Sequence, residues 1–160
     1  MMRRGFLAMT IGLAAISIAS CVPIVSGLKL IHNLVRAFSN VFGRPVPGVP
    51  PLLQGRIVEY LRQAEALLQR VVDTVSDDSR TAAQNILAIM MNVLGELASV
   101  VAANPTVSAI VAAARTVIPI IAGLFGVAVP PTPVGVARAV LPVMTEDEAE
   151  ATLEKYAGVP

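Results

Sequence analysis

Apolar residues recur at three- and four-residue spacings along most of the chain, and proline clusters divide the pattern into segments. The first segment, about 24–42, puts Ile24, Leu28, Ile31, Val35, Phe38 and Phe42 on one stripe and Lys29, His32, Asn33, Arg36 and Asn40 opposite. Pro45, Pro47, Pro50 and Pro51 then mark a loop over 43–51. A second segment, about 52–75, turns Leu53, Ile57, Leu61, Ala64, Leu68, Val71 and Val75 inward, with mixed-sign charges from Arg56 to Asp73 outside. Ser76-Asp77-Asp78-Ser79 supplies N-cap candidates for a third segment to about residue 103, with Ile86, Met90, Val93, Leu97 and Val100 inward. It stops at Asn104-Pro105. A fourth segment, Thr106 to about Val127, is apolar almost all round, interrupted by Arg115 and Pro119. Beyond Pro130, Pro131 and Pro133, residues 134–143 suggest a short helix. Thr145 and Glu148 then form a capping box for a last helix ending near Tyr156 and Gly158.

These spacings predict an all-α fold: a small antiparallel bundle of about four main helices plus short C-terminal ones, preceded by an N-terminal signal helix. Segments two to four are expected to form the bundle, with the apolar fourth at its centre. No segment alternates cleanly enough for a strand.

The N-terminus carries the strongest chemical signal. Arg3 and Arg4 form a positive n-region, and Phe6 to about Ile18 is an uncharged apolar run, too short and wrongly flanked for a membrane span. Ile18-Ala19-Ser20-Cys21 follows directly, and it resembles the lipobox of bacterial prolipoproteins: an aliphatic residue, two small residues, then the Cys. The resemblance implies a diacylglyceryl thioether on Cys21, cleavage before it, and N-acylation of the new amine by a fatty acid such as palmitate. An unmodified thiol in an apolar helix, or an uncleaved anchoring helix, is the competing account. Val22 stands where Asp marks inner-membrane retention in enterobacterial lipoproteins, which favours the outer membrane. Arg3-Arg4-Gly5-Phe6-Leu7 also looks like a twin-arginine core, with Met2 where Ser or Thr is usual, so either export route stays open. The expected organisation is a signal peptide over 1–20, a lipid anchor with a basic amphipathic helix and Pro-rich linker over 21–51, and the helical bundle over 52–160.

Composition narrows the function. The 160 residues are 55% apolar and only 14% charged, which excludes a disordered charged tail. Twelve Lys+Arg against eleven Asp+Glu, with 4% aromatics, leave no basic excess and few stacking platforms for nucleic acid. Cys21 is the single cysteine, so its acylation leaves no thiol for a disulfide, and stability must come from helix packing. Residues 22–72 carry six cations and two anions, whereas 73–160 carry four cations and nine anions, so the half nearer the anchor is basic.

Beside Cys21, candidate membrane-surface contacts are Lys29, Arg36 and Arg44, on or just after a helix that either lies flat on the bilayer or serves as the first core helix. Arg115 is a charge inside an apolar segment. In a soluble bundle it would reach the surface or pair with Glu96; in a membrane-inserted hairpin over 80–129 it would face a pore or partner. Catalytic and metal-binding residues are not expected. His32 is the lone imidazole, the chain has no G-x-S-x-G, H-E-x-x-H, P-loop or G-x-G-x-x-G motif, and the acidic clusters at 77–78 and 146–150 sit where helix starts want carboxylates. Met90-Met91 reads as core. The expected protein is a non-enzymatic, lipid-anchored cell-envelope module whose partners are membrane lipid and an envelope protein. It carries no cofactor besides the covalent lipid, and its oligomeric state stays open. A membrane-active hairpin and a hydrophobic-ligand carrier are the alternatives.

Overall fold

The computed structural model describes residues 10–71 and 76–158, with side chains of the first helix described from Ser26 onward. Arg3, Arg4, Asp73 and Val75 therefore lie outside the described residues. The fold is all-helical: α1 Thr10–Phe42, α2 Pro51–Leu68, α3 Asp77–Leu97, a 3-10 turn Val101–Ala103, α4 Pro105–Phe125, α5 Val134–Arg138 and α6 Glu146–Ala157.

Residues 10–23, which belong to the stretch ahead of the first expected segment, are continuous with it: the helical backbone of α1 runs unbroken from Thr10 to Phe42. Within its described part, Leu30, Ile31, Leu34, Val35, Ala37, Phe38 and Phe42 are buried. Asn33, expected on the polar face, is 8% exposed. It lies at the border of the exposed stripe, one turn from Lys29 and two from Asn40, both of which bond to α6; that helix covers a flank that the 3.6-residue period alone assigns to solvent.

Local chemistry sets the other boundaries. Pro51 opens α2 at a position where its missing N–H costs nothing. Ser76 caps α3 through a reciprocal box with Ser79, and Asp77 and Asp78 sit in the first turn. The third segment leaves the α-helix at Leu97, six residues early, and passes through the 3-10 turn to extended Asn104, where Pro105 forbids further helix. Asn104 instead caps α4: its Oδ1 accepts from Thr106 and Val107 N–H, while its Nδ2 donates to the Pro47 carbonyl at 2.8 Å. Asn104→Ala removes both the cap and this tie to the 43–50 loop. A loss of about 1–2 kcal/mol is expected in urea unfolding, with Asn104→Asp, which keeps the cap oxygen, falling between it and the parent.

Pro119 withdraws one N–H from α4, yet Pro119 and Arg115, four residues earlier, both lie on the exposed side, where a missing hydrogen bond costs least. Gly126 (φ 69°) and Gly158 (φ 81°) close α4 and α6 in the left-handed conformation. Only Val134–Arg138 of the expected 134–143 helix forms. Pro142 disfavours the helical region at Leu141, and the chain continues non-helically to Thr145, whose capping box with Glu148 starts α6.

Two groups of helices share one core. α2 and α3 make an antiparallel hairpin, spanned by Arg56–Glu96 at one end and Arg70–Asp78 at the other. α1 and α4 run antiparallel, Gly27 meeting Leu124 and Phe125 at one end and Pro47 meeting Asn104 at the other, with α6 packed on both. A Cβ on Gly27 would sit 2.9 Å from the Phe125 ring, so only glycine permits that approach. The fourth segment is thus central, as expected, but its neighbours are α1 and α6 as well as α3. Residues Leu30 to Val49 belong to the same core as Leu53 to Leu153, so the packing has no break at 51/52.

Candidate functional site

Ile18, Ala19, Ser20 and Cys21 lie within the helical run of α1, six to nine residues ahead of Gly27, the first buried residue described. From there to Phe42 the helix offers solvent a narrow stripe: Ser26, Lys29, His32, Arg36 and Asn40. Its apolar stripe is already covered by α2, α4 and α6. From Gly27 to Phe42, α1 therefore has no apolar face left to lay into a bilayer, and what that part presents sideways is cationic and polar.

The three cations chosen from the sequence are all exposed but differ in setting. Lys29 Nζ lies 3.2 Å from Glu154 Oε2 of α6. Arg36 has no ion-pair partner among the described residues and shares the stripe with Lys29, about 10 Å along the axis. Arg44 sits beyond the helix end in a loop that Gln54 clamps: its Nε2 donates to the Phe42 and Arg44 carbonyls at 2.8 and 2.9 Å.

His32 lies between Lys29 and Arg36. Partial burial, and then the Arg36 charge, hold its pKa below the ordinary imidazole value. The folded chain thus binds the proton less well than the unfolded one, and stability falls as pH drops below about 6.5 toward the depressed folded value. His32→Gln is expected to flatten this acid-side loss in thermal melts between pH 7.5 and 5; an unchanged slope would show that His32 does not contribute.

Arg115 reaches solvent directly from the outer side of α4 and has no ion-pair partner among the described residues. Of the two outcomes expected for a soluble bundle, Arg115 takes the surface position; Glu96 pairs with Arg56 of α2 at 3.1 Å instead. Arg115 lines a groove of about 290 Å³ with Ala112, Thr116 and residues 141–144. α4 is the one described helix long and apolar enough to cross a membrane, with mean hydropathy 2.0 over its most apolar stretch, 56% of which is buried inside the protein. α3, its expected hairpin partner, packs most extensively on α2.

Two further grooves, of about 370 and 380 Å³, lie open to solvent with mixed linings; the second is lined by Ser39, Arg62 and Glu65, and the buried Ser39 hydroxyl has no hydrogen-bond partner among the described residues. Among the described residues no three His, Cys, Asp or Glu side chains converge as a metal-binding group, and Met90 and Met91 are buried in the core. Two contacts had no signal in the sequence. Lys29–Glu154 and Asn40 Nδ2 donating to the Tyr156 carbonyl at 3.0 Å join residues more than a hundred positions apart.

Comparison with protein-family models, curated proteins and solved structures gave no match.

Proposed function

We propose that this chain is a bacterial envelope lipoprotein, cut before Cys21, acylated on that residue, and acting as a non-enzymatic helical module held at the membrane. The observation that carries the proposal is Ile18-Ala19-Ser20-Cys21 at the end of an uncharged run behind Arg3 and Arg4. Pro23 supports it. In the uncut chain Pro23 sits inside α1 and has no N–H for the Ala19 carbonyl, whereas cleavage at 20/21 puts it in the first turn of the new helix, where no partner is required. The closed helical body supports a module that works through its outer surface, with membrane lipid and an envelope protein as partners and the outer membrane as its place.

One observation favours a rival: α1 is unbroken from Thr10, as an uncleaved anchoring helix would be. Intact mass and N-terminal analysis of the protein from bacterial membranes separates the two. The expected mature chain starts at Cys21 and carries diacylglycerol and an amide-linked fatty acid. A chain starting at Met1 with a free thiol overturns the proposal.

A further inference from the structure

We infer that the end of the bundle formed by the last turns of α4 and the loop after it, residues 120–130, is set against the lipid surface. The inference rests on the N-terminal membrane attachment proposed above and adds an orientation to it: the bundle stands end-on, with the α1 stripe pointing sideways.

The connection between anchor and bundle has no slack. Gly27 is in contact distance of Leu124 and Phe125, and Cys21 lies six residues further along the same helix, about 9 Å at 1.5 Å per residue. Acyl chains at Cys21 enter the hydrocarbon, so the headgroup layer begins within a turn or two of Gly27, and whatever surrounds Gly27 is brought there with it. A flexible tether would leave the orientation free; a helix docked this closely does not.

What surrounds Gly27 suits that position. No charged residue occurs between Arg115 and Arg138. At the end of α4, Gly123, Gly126, Ala128 and Val129 are exposed and Ile120, Leu124 and Val127 are half-buried. Residues 120–130 carry no charge of their own, and placing them at the headgroup and acyl boundary removes apolar area from water. Lys29, a half-turn below Gly27 and paired with Glu154 of α6, is 64% exposed at the level where phosphates would be. The far end differs: there the 43–50 loop carries Arg44, and Leu52 is 81% exposed about 20 Å or more along α1 from Gly27. Val143, 99% exposed beside Arg115, marks the flank of α4.

The lone cysteine makes the test clean. In the mature acylated product Cys21 is blocked, so Val129→Cys, Val143→Cys and Leu52→Cys each offer one thiol for an environment-sensitive fluorophore. The labelled proteins are reconstituted into phosphatidylethanolamine/phosphatidylglycerol vesicles and checked by flotation and circular dichroism. The expected result is a blue-shifted, severalfold brighter emission at 129 that nitroxide-labelled lipid quenches, with 143 and 52 remaining aqueous. An aqueous signal at 129, or lipid quenching at 143 in its place, in protein that floats overturns the orientation while the anchor stands. Failure to float, with the parent protein taking up thiol label at Cys21, overturns the anchor and the orientation with it.

Discussion

Cys21→Ala is expected to abolish fatty-acid incorporation and leave the chain uncut, so that the variant accumulates as a precursor some twenty residues longer than the parent product. The physical argument starts from the thioether. Without the sulfur there is no diacylglyceryl group, and the peptidase implied by the lipobox resemblance acts on the modified Cys. The loss is large. At about 0.8 kcal/mol per buried CH₂, a single myristoyl chain gives only marginal binding, whereas two or three chains together hold a protein durably. Metabolic palmitate labelling and gel mobility read both effects at once. Identical label and mobility in variant and parent would refute the lipoprotein proposal outright. Cys21→Ser is expected to behave as Cys21→Ala, since a hydroxyl keeps the size but not the nucleophilic thiolate chemistry.

Phe38→Ala is expected to cost about 3–5 kcal/mol in urea unfolding, a large share of the roughly 5–15 kcal/mol that holds a domain of this size together. Phe38 is fully buried and stacks on Phe42, ring centroids 6.4 Å apart at 17°. Its removal takes away apolar burial and opens a cavity where α1 crosses the other helices, a site held by neighbours on several sides and therefore slow to collapse. Leu52→Ala is the matched control: at 81% exposure its change should stay within about 0.5 kcal/mol. The comparison also distinguishes two roles for α1. If its second half lay loosely against a bilayer instead of inside the bundle, Phe38→Ala would shift the unfolding midpoint no more than Leu52→Ala does.

The local signals in the chain are unusually legible because they act over three or four residues. Ser76 and Thr145 cap their helices through side chains three positions on, Asn104 and Pro105 start α4, and Gly126 and Gly158 end their helices in a conformation other residues resist. Periodicity likewise identifies the inward positions of α2, α3 and the described half of α1. It fails at Asn33 and does not settle the partner of Glu96 for one reason: both depend on which helix lies alongside. Glu96 pairs with the cation that the hairpin places beside it, Arg56 of α2; Asn33 is buried on a flank whose neighbours Lys29 and Asn40 bond to α6, over a hundred positions away. The candidate site divides in the same way. The lipobox and the leader behind it are visible as linear chemistry, while the stripe shared by Lys29, His32 and Arg36 gains its meaning only once the rest of α1 is covered.

From residue order alone follow the helical class, the caps that open α3, α4 and α6, the glycines that close α4 and α6, the lipobox resemblance at Cys21 and the poverty of catalytic and metal-binding side chains, since each of these rests on neighbours within a few positions or on composition. Tertiary structure decided that α1 belongs to the core, that α4 packs on α1 and α6 while α3 turns to α2, and that Arg115 stands free in solvent. Burial is a property of what covers a surface, and in a bundle that cover comes from helices far away in the chain.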